Sequence, residues 1–225
     1  SISHSSSLVK LSLSNIVFGE NCPLEGFLSS TRTLSTFTYV QHASNMPYGT
    51  AQAIGRGFAK NESLIKLLWR TPHGFDFMEE VLFGLFKDIK LKYLLLVTKL
   101  TQLSSQVLRS LLHCNETLED FNLALHNSSE GEFPTMASVL AGLAQNTGLK
   151  KVLIRSDSSE TDTTVATAWT DMLQRNTSIK ILDLNDDDWQ GDSDYKLCSA
   201  VAAGLVNNST LVTLRLPYEA NSGVD

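Results

Sequence analysis

Apolar residues recur along the chain in a three-point pattern: two positions three apart, then a third two further on. The copies are Leu8-Leu11-Leu13, Leu34-Phe37-Tyr39, Leu64-Leu67-Trp69, Leu91-Leu94-Leu96, Leu118-Phe121-Leu123, Leu149-Val152-Ile154, Ile179-Leu182-Leu184 and Leu211-Leu214-Leu216. Their first residues stand 26 to 32 apart, with a mean of 29. Inside a copy the last positions alternate, as in Lys10-Leu11-Ser12-Leu13. Alternation with period two sends one row of side chains to a core and the other outward, so each copy predicts one short strand.

The segment before each strand repeats too. Six residues ahead of the first apolar position stand Leu28, Phe58, Leu85, Leu112, Leu143, Leu173 and Leu205, and four residues earlier Leu24, Ile54, Val81, Leu108, Val139, Trp169 and Val201. A spacing of four lies on one face of a helix, so each unit predicts an amphipathic helix packed against the strands. Gly57, Gly84, Gly142 and Gly204 share one register on these helices. Glycine costs about 1 kcal/mol against alanine inside a helix, so the recurrence suggests close helix packing, with a tolerated small residue as the alternative.

Three residues before each strand comes Asn61, Asp88, Asn115, Asn146, Asn176 or Asn208. Asparagine tolerates left-handed backbone and bonds nearby peptide groups, which predicts that each helix ends there and the chain turns toward its strand. The same position creates Asn-x-Ser/Thr sequons at Asn61, Asn115, Asn176 and Asn208. Because turn chemistry explains their spacing, they are not read as a mark of secretion.

With these strands, this period and a full helix in each unit, the chain resembles the ribonuclease-inhibitor-like leucine-rich-repeat proteins over residues 8 to 216. The resemblance implies an α/β solenoid, or horseshoe, of about eight strand-helix units with a concave parallel sheet and outer helices. Where that family has Asn or Cys three residues past the last Leu, this chain has Ile16, His42, Pro72, Lys99, His126, Asp157, Asp187 and Glu219. The side-chain ladder of that turn is therefore expected to be absent or replaced by backbone bonds and water. Residues 1–225 are expected to form a single array. Because the first residue is Ser1 and no helix follows the last strand, a fragment of a longer repeat protein is expected.

Composition narrows the partners. A net charge of −6 and a pI near 5.4 argue against nucleic acid, whose phosphates demand a basic surface. Residues 1 to 112 carry +4 and residues 113 to 225 carry −10, an asymmetry that can orient a charged partner. Cys22, Cys114 and Cys198 are an odd count, too widely spaced for a disulfide framework. A reducing, cytoplasmic setting is expected, with Cys114 and Cys198 as small buried hydrophobes. No apolar run reaches the ~18 residues of a membrane span.

In a solenoid the outward strand residues form one continuous surface, the default place to bind another protein. The first outward row reads Lys10, Thr36, Lys66, Tyr93, Asp120, Lys151, Ile181, Thr213, and the second Ser12, Thr38, Leu68, Leu95, Asn122, Leu153, Asp183, Arg215. Their centre combines apolar and basic residues with an aromatic anchor, so Lys66, Leu68, Tyr93, Leu95, Asn122, Lys151 and Leu153 are the expected partner-binding residues. Trp69 and Trp169 fall on inward positions and should be core.

Catalytic marks are missing: no HExxH, CxxC, GxSxG or GxxxxGK[ST] occurs, and the adjacent His113 and Cys114 would diverge on a helix. No metal or cofactor is expected. The acidic segments 156–164 and 185–194, the second containing Trp189, lack the order of a calcium loop and read as solvated edges. A protein-binding scaffold that is not an enzyme is the leading expectation. The resemblance also admits a GTPase-activating protein of the Ran type, for which Arg70 or Arg155 just past a strand would serve, or the sensor array of an innate-immune-type receptor.

Overall fold

The computed structural model describes residues 7–16, 18, 22–42, 46–72, 77–86, 90–125, 132–156, 162–184 and 195–216. Among them eight strands alternate with seven helices. The strands are β1 (Lys10–Ser14), β2 (Thr36–Val40), β3 (Lys66–Thr71), β4 (Tyr93–Thr98), β5 (Asp120–Leu125), β6 (Lys151–Ser156), β7 (Ile181–Asp183) and β8 (Thr213–Arg215). The helices between them are α1 (Leu24–Ser30), α2 (Tyr48–Lys60), α3 (Met78–Leu85), α4 (Gln102–Cys114), α5 (Glu132–Gln145), α6 (Thr163–Arg175) and α7 (Tyr195–Leu205).

All strands are parallel in one sheet whose spatial order is the chain order. Leu67 lies beside Leu94 and Leu94 beside Phe121, as the repeat requires. Phe37, Leu67, Leu94, Phe121, Val152 and Leu182 on the strands are wholly buried, as are Leu28, Ile54, Phe58, Leu85, Leu112 and Leu143 on the helices. Both sets belong to a single core, so helices cover one sheet face and leave the other open. Strands repeat every ~4.8 Å whereas packed helices need 8–10 Å, so the stack bends with the sheet inside. Trp69 and Trp169 are core residues, and the Trp69 ring stacks on Tyr39 at 4.5 Å. Cys114 is exposed at the end of α4 and Cys198 is half-buried, which corrects their expected burial: the apolar face of α4 is already filled by Leu108, Leu111 and Leu112.

The asparagine position behaves differently from expectation. Asn61, Asn115 and Asn176 have extended backbone, with φ of −83°, −88° and −73°, so left-handed tolerance is not what selects them. The side chain is. Asn176 Nδ2 donates to the carbonyls of Leu143 (2.7 Å) and Asn146 (2.9 Å) in the preceding unit. Its Oδ1 accepts from the N–H groups of Ser178 (2.9 Å) and Ile179 (2.8 Å), which lead into the next strand.

Asn61, Asn146 and Asn208 repeat this four-bond clamp one unit at a time. Asn115 Oδ1 accepts the corresponding two N–H groups, from Thr117 and Leu118. The hydroxyls two residues on, such as Ser63 and Ser178, reach carbonyls of the previous turn. Each sequon is thus a pair of ladder residues. A glycan would attach at Nδ2, the atom that binds the preceding unit at Asn61, Asn176 and Asn208, so glycan and clamp exclude one another there. Asp88 lies outside the described residues.

A side-chain ladder therefore exists at the helix-to-strand turn. Past the strands, the expected replacement is partly backbone, through Asn15 N–H to Val40 O and Gln41 N–H to Arg70 O. It is partly hydroxyl, through Thr71 Oγ1 to Thr98 Oγ1 at 3.0 Å, both buried.

The glycine register marks close packing. A Cβ on Gly84 would land on the backbone of Gly55 in the neighbouring helix, and one on Gly142 would meet the Arg109 carbonyl at 2.8 Å. Nothing lies within 4 Å of a Cβ on Gly26.

These contacts set expectations for equilibrium urea unfolding. Asn176→Ala leaves the buried N–H groups of Ser178 and Ile179 without an acceptor, while the Leu143 and Asn146 carbonyls each keep one other donor, and it is expected to lose about 2–4 kcal/mol. Gly84→Ala is expected to destabilise, whereas Gly26→Ala should be neutral or gain up to about 1 kcal/mol from helix propensity. Equal effects of the two glycine substitutions would refute the packing argument.

Burial, and then the charge of Cys22, push the Tyr39 phenol from 10 up to about 12. The unfolded chain then releases this proton first. Stability due to Tyr39 is intact below pH 10 and lost as pH rises from about 10 to about 12, by on the order of 2 kcal/mol. Unfolding of Tyr39→Phe followed across that range should lack this step.

Candidate functional site

The outward rows are in register across the sheet. Lys66 pairs with Tyr93, Tyr93 with Asp120 and Asp120 with Lys151, while Leu68, Leu95, Asn122 and Leu153 follow one another in the second row. All seven expected binding residues thus lie on four adjacent strands, β3 to β6, on the open face. The leucines are half-buried rather than prominent, and Asn122 is only 7% exposed. Side chains only ~4.8 Å apart across parallel strands shade one another.

Several of these residues hold each other in place. The Lys66 ammonium sits 4.1 Å from the centre of the Tyr93 ring, a cation–π contact. Asp120 accepts from Asn122 Nδ2 at 3.0 Å and faces Lys151 Nζ at 3.7 Å, so the carboxylate on this stretch is already partnered. Burial, followed by the charge of Asp120, raises the Tyr93 phenol above its ordinary range. It stays a neutral hydroxyl at physiological pH.

The strands run further than the repeat pattern indicates, and this adds a third outward row. Arg70 pairs with Val97, Val97 aligns with Ala124, and Ala124 pairs with Arg155. Both arginines therefore lie within β3 and β6, not just past them. Tyr93, Leu95, Asn122, Lys151 and Leu153 line a cleft of about 310 Å³ together with Arg70, Arg155, Val97 and Ala124. Small Val97 and Ala124 make the floor between the two arginines. Lys66 and Leu68 flank this cleft without lining it. The signal for the third row was available: alternation continues through Trp69, Arg70 and Thr71, with Thr71 buried.

The charge here is opposite to that of the chain. The twelve outward positions of β3 to β6 carry Lys66, Arg70, Lys151 and Arg155 against Asp120 alone, or +3, on a chain of −6. At the far end of the sheet Asp183 is instead neutralised by Arg215 at 3.0 Å. Among the described residues no group of three metal-ligating side chains occurs, and no helix is long and apolar enough to cross a membrane. The segment 185–194 with Trp189, and residues 157–161, lie outside the described residues.

No family model matches the chain, and no curated protein does. Among solved structures it is similar to leiomodin-1 actin-binding site 2, at 10% identity, covering 81% of this chain and 87% of that one, with a TM-score of 0.43. A likeness of that degree carries no argument about fold or partner. The fold rests on the register of the strands.

Proposed function

We propose that the chain is a protein-binding scaffold of the ribonuclease-inhibitor-like kind, a single cytoplasmic repeat array that engages a partner protein through the open face of β3 to β6 and catalyses nothing itself. The observation that carries this reading is the cleft on that face, where five of the residues with binding character converge on a site that mixes apolar walls with cationic and hydroxyl groups. Interfaces have this composition: apolar and aromatic area at the centre, arginine enriched, polar groups around it. At about 310 Å³ the cleft stands at the low end of ligand pockets, a size suited to a side chain of a partner more than to a cofactor. Free thiols at Cys22, Cys114 and Cys198 support a reducing compartment, as does the use of sequon amides inside the fold.

The GTPase-activating alternative needs an arginine that can extend over a bound nucleotide. Arg70 and Arg155 instead border a depression in the sheet, a placement that favours holding a ligand over reaching out to one.

Affinity capture from cells tests the scaffold reading, with Leu95→Asp/Leu153→Asp compared against Leu103→Asp on exposed α4. The sheet variant is expected to lose partners that the wild type and the helix variant both retain, with thermal unfolding within a few degrees for all three. Loss confined to the helix variant would overturn the assignment. Addition of the chain to a Ran-type GTPase is expected to leave GTP hydrolysis unchanged, and acceleration would overturn the non-catalytic reading.

A further inference from the structure

Arg70 and Arg155 stand three strands apart, roughly 14 Å between backbones, yet both border one cleft because only Val97 and Ala124 separate them. Neither guanidinium has a hydrogen bond or ion pair to a described residue, and Arg155 Nε is buried with no partner at all. Arg70 is exposed and Arg155 half-buried, and both line the cleft. A buried donor with no acceptor costs free energy, which a ligand that draws the Arg155 side chain toward the cleft and accepts from Nε would recover. Asp120, the carboxylate that could have served, is turned to Lys151 and Asn122 instead.

We propose that this cleft is a carboxylate-reading site that takes an aspartate or glutamate side chain of an acidic peptide segment in the partner protein. The inference rests on the scaffold reading above and specifies its partner's chemistry. The planar fork of arginine matches a carboxylate in bidentate geometry, and two such forks across a narrow floor clamp it from both sides. Tyr93 supplies a neutral hydroxyl, while Leu95 and Leu153 accept an apolar neighbour of the acidic residue. The local excess of +3 draws an acidic segment to this stretch although the whole chain is negative. The net charge of −10 over residues 113 to 225 disfavours other approaches of an acidic segment.

The test is a titration of isotope-labelled protein with terminally blocked peptides Ala-Leu-Glu-Leu-Ala, Ala-Leu-Gln-Leu-Ala and Ala-Leu-phosphoSer-Leu-Ala, following the arginine Nε–H and leucine methyl resonances by NMR. The Glu peptide is expected to shift Arg70 and Arg155 saturably while leaving exposed Arg32 and Arg175 unmoved. Arg155→Gln and Arg70→Gln should each weaken it roughly tenfold or more, and added salt should weaken it further.

Equal perturbation of Leu95 and Leu153 by the Glu and Gln peptides would overturn carboxylate reading and leave the scaffold reading standing. Tighter binding of the phosphoserine peptide than of the Glu peptide would reassign the site to phosphate and overturn the proposal. No saturable shift with any peptide would overturn it as well, and the capture experiment with Leu95→Asp/Leu153→Asp then decides separately whether the face binds protein.

Discussion

A carboxamide donates and accepts at once, and the stack depends on that double use. In a parallel repeat each helix ends with carbonyls that its own hydrogen bonds leave unsatisfied, and each following turn begins with N–H groups in the same position. Asn61, Asn146, Asn176 and Asn208 answer both needs with one side chain, Nδ2 serving the preceding unit and Oδ1 serving their own. Aspartate offers no donor there, and glutamine is longer by a methylene than the turn allows for. Apolar burial supplies most of the driving force for compaction, but it is indifferent to small slips along the stack. The amide is not, because a misplaced unit would leave buried polar groups without partners.

Once the clamps set the spacing of turns, the two layers have to fit it, and they do so by unequal means. The strands need nothing special, since wholly buried leucines and phenylalanines stack side by side at the sheet's natural separation. The helices are thicker and use Gly55, Gly84, Gly142 and Gly204 to approach more closely than side chains would permit. What remains of the mismatch bends the sheet inward. On the outward rows of β3 to β6, Val97 and Ala124 stand between the arginines and line the depression there.

Much of this is written in one-dimensional spacing. The three-point apolar pattern gives the strands, the pair four apart gives the helices, and the order of units leaves a single sheet as the economical arrangement. Contacts that depend on distance in space were harder to read. Gly84 could have been a tolerated small residue until the Gly55 backbone was seen beneath it. The asparagines pointed to a turn, but their bond to the unit before is a relation across some 30 residues that no local motif announces. The binding face shows the same division. Its first two rows follow from the apolar pattern, whereas the third, with Arg70 and Arg155, needs the alternation carried one step past the last apolar position, where only Thr71 and Ser156 follow.

The invariant interval from helix to strand has a counterpart. The last apolar helical residue, a leucine or Phe58, stands six positions ahead of the first apolar position of the next copy in every unit, so all the variation in repeat length, from 26 to 32, falls on the other side, between each strand and the end of the next helix. One rim of the array is riveted and the other is free to vary. Extra residues on the free rim disturb no clamp and cost only the slow logarithmic entropy of a longer loop. Arg70 and Arg155 stand at that rim's base, so new specificity could be grafted beside the cleft without remaking the scaffold underneath.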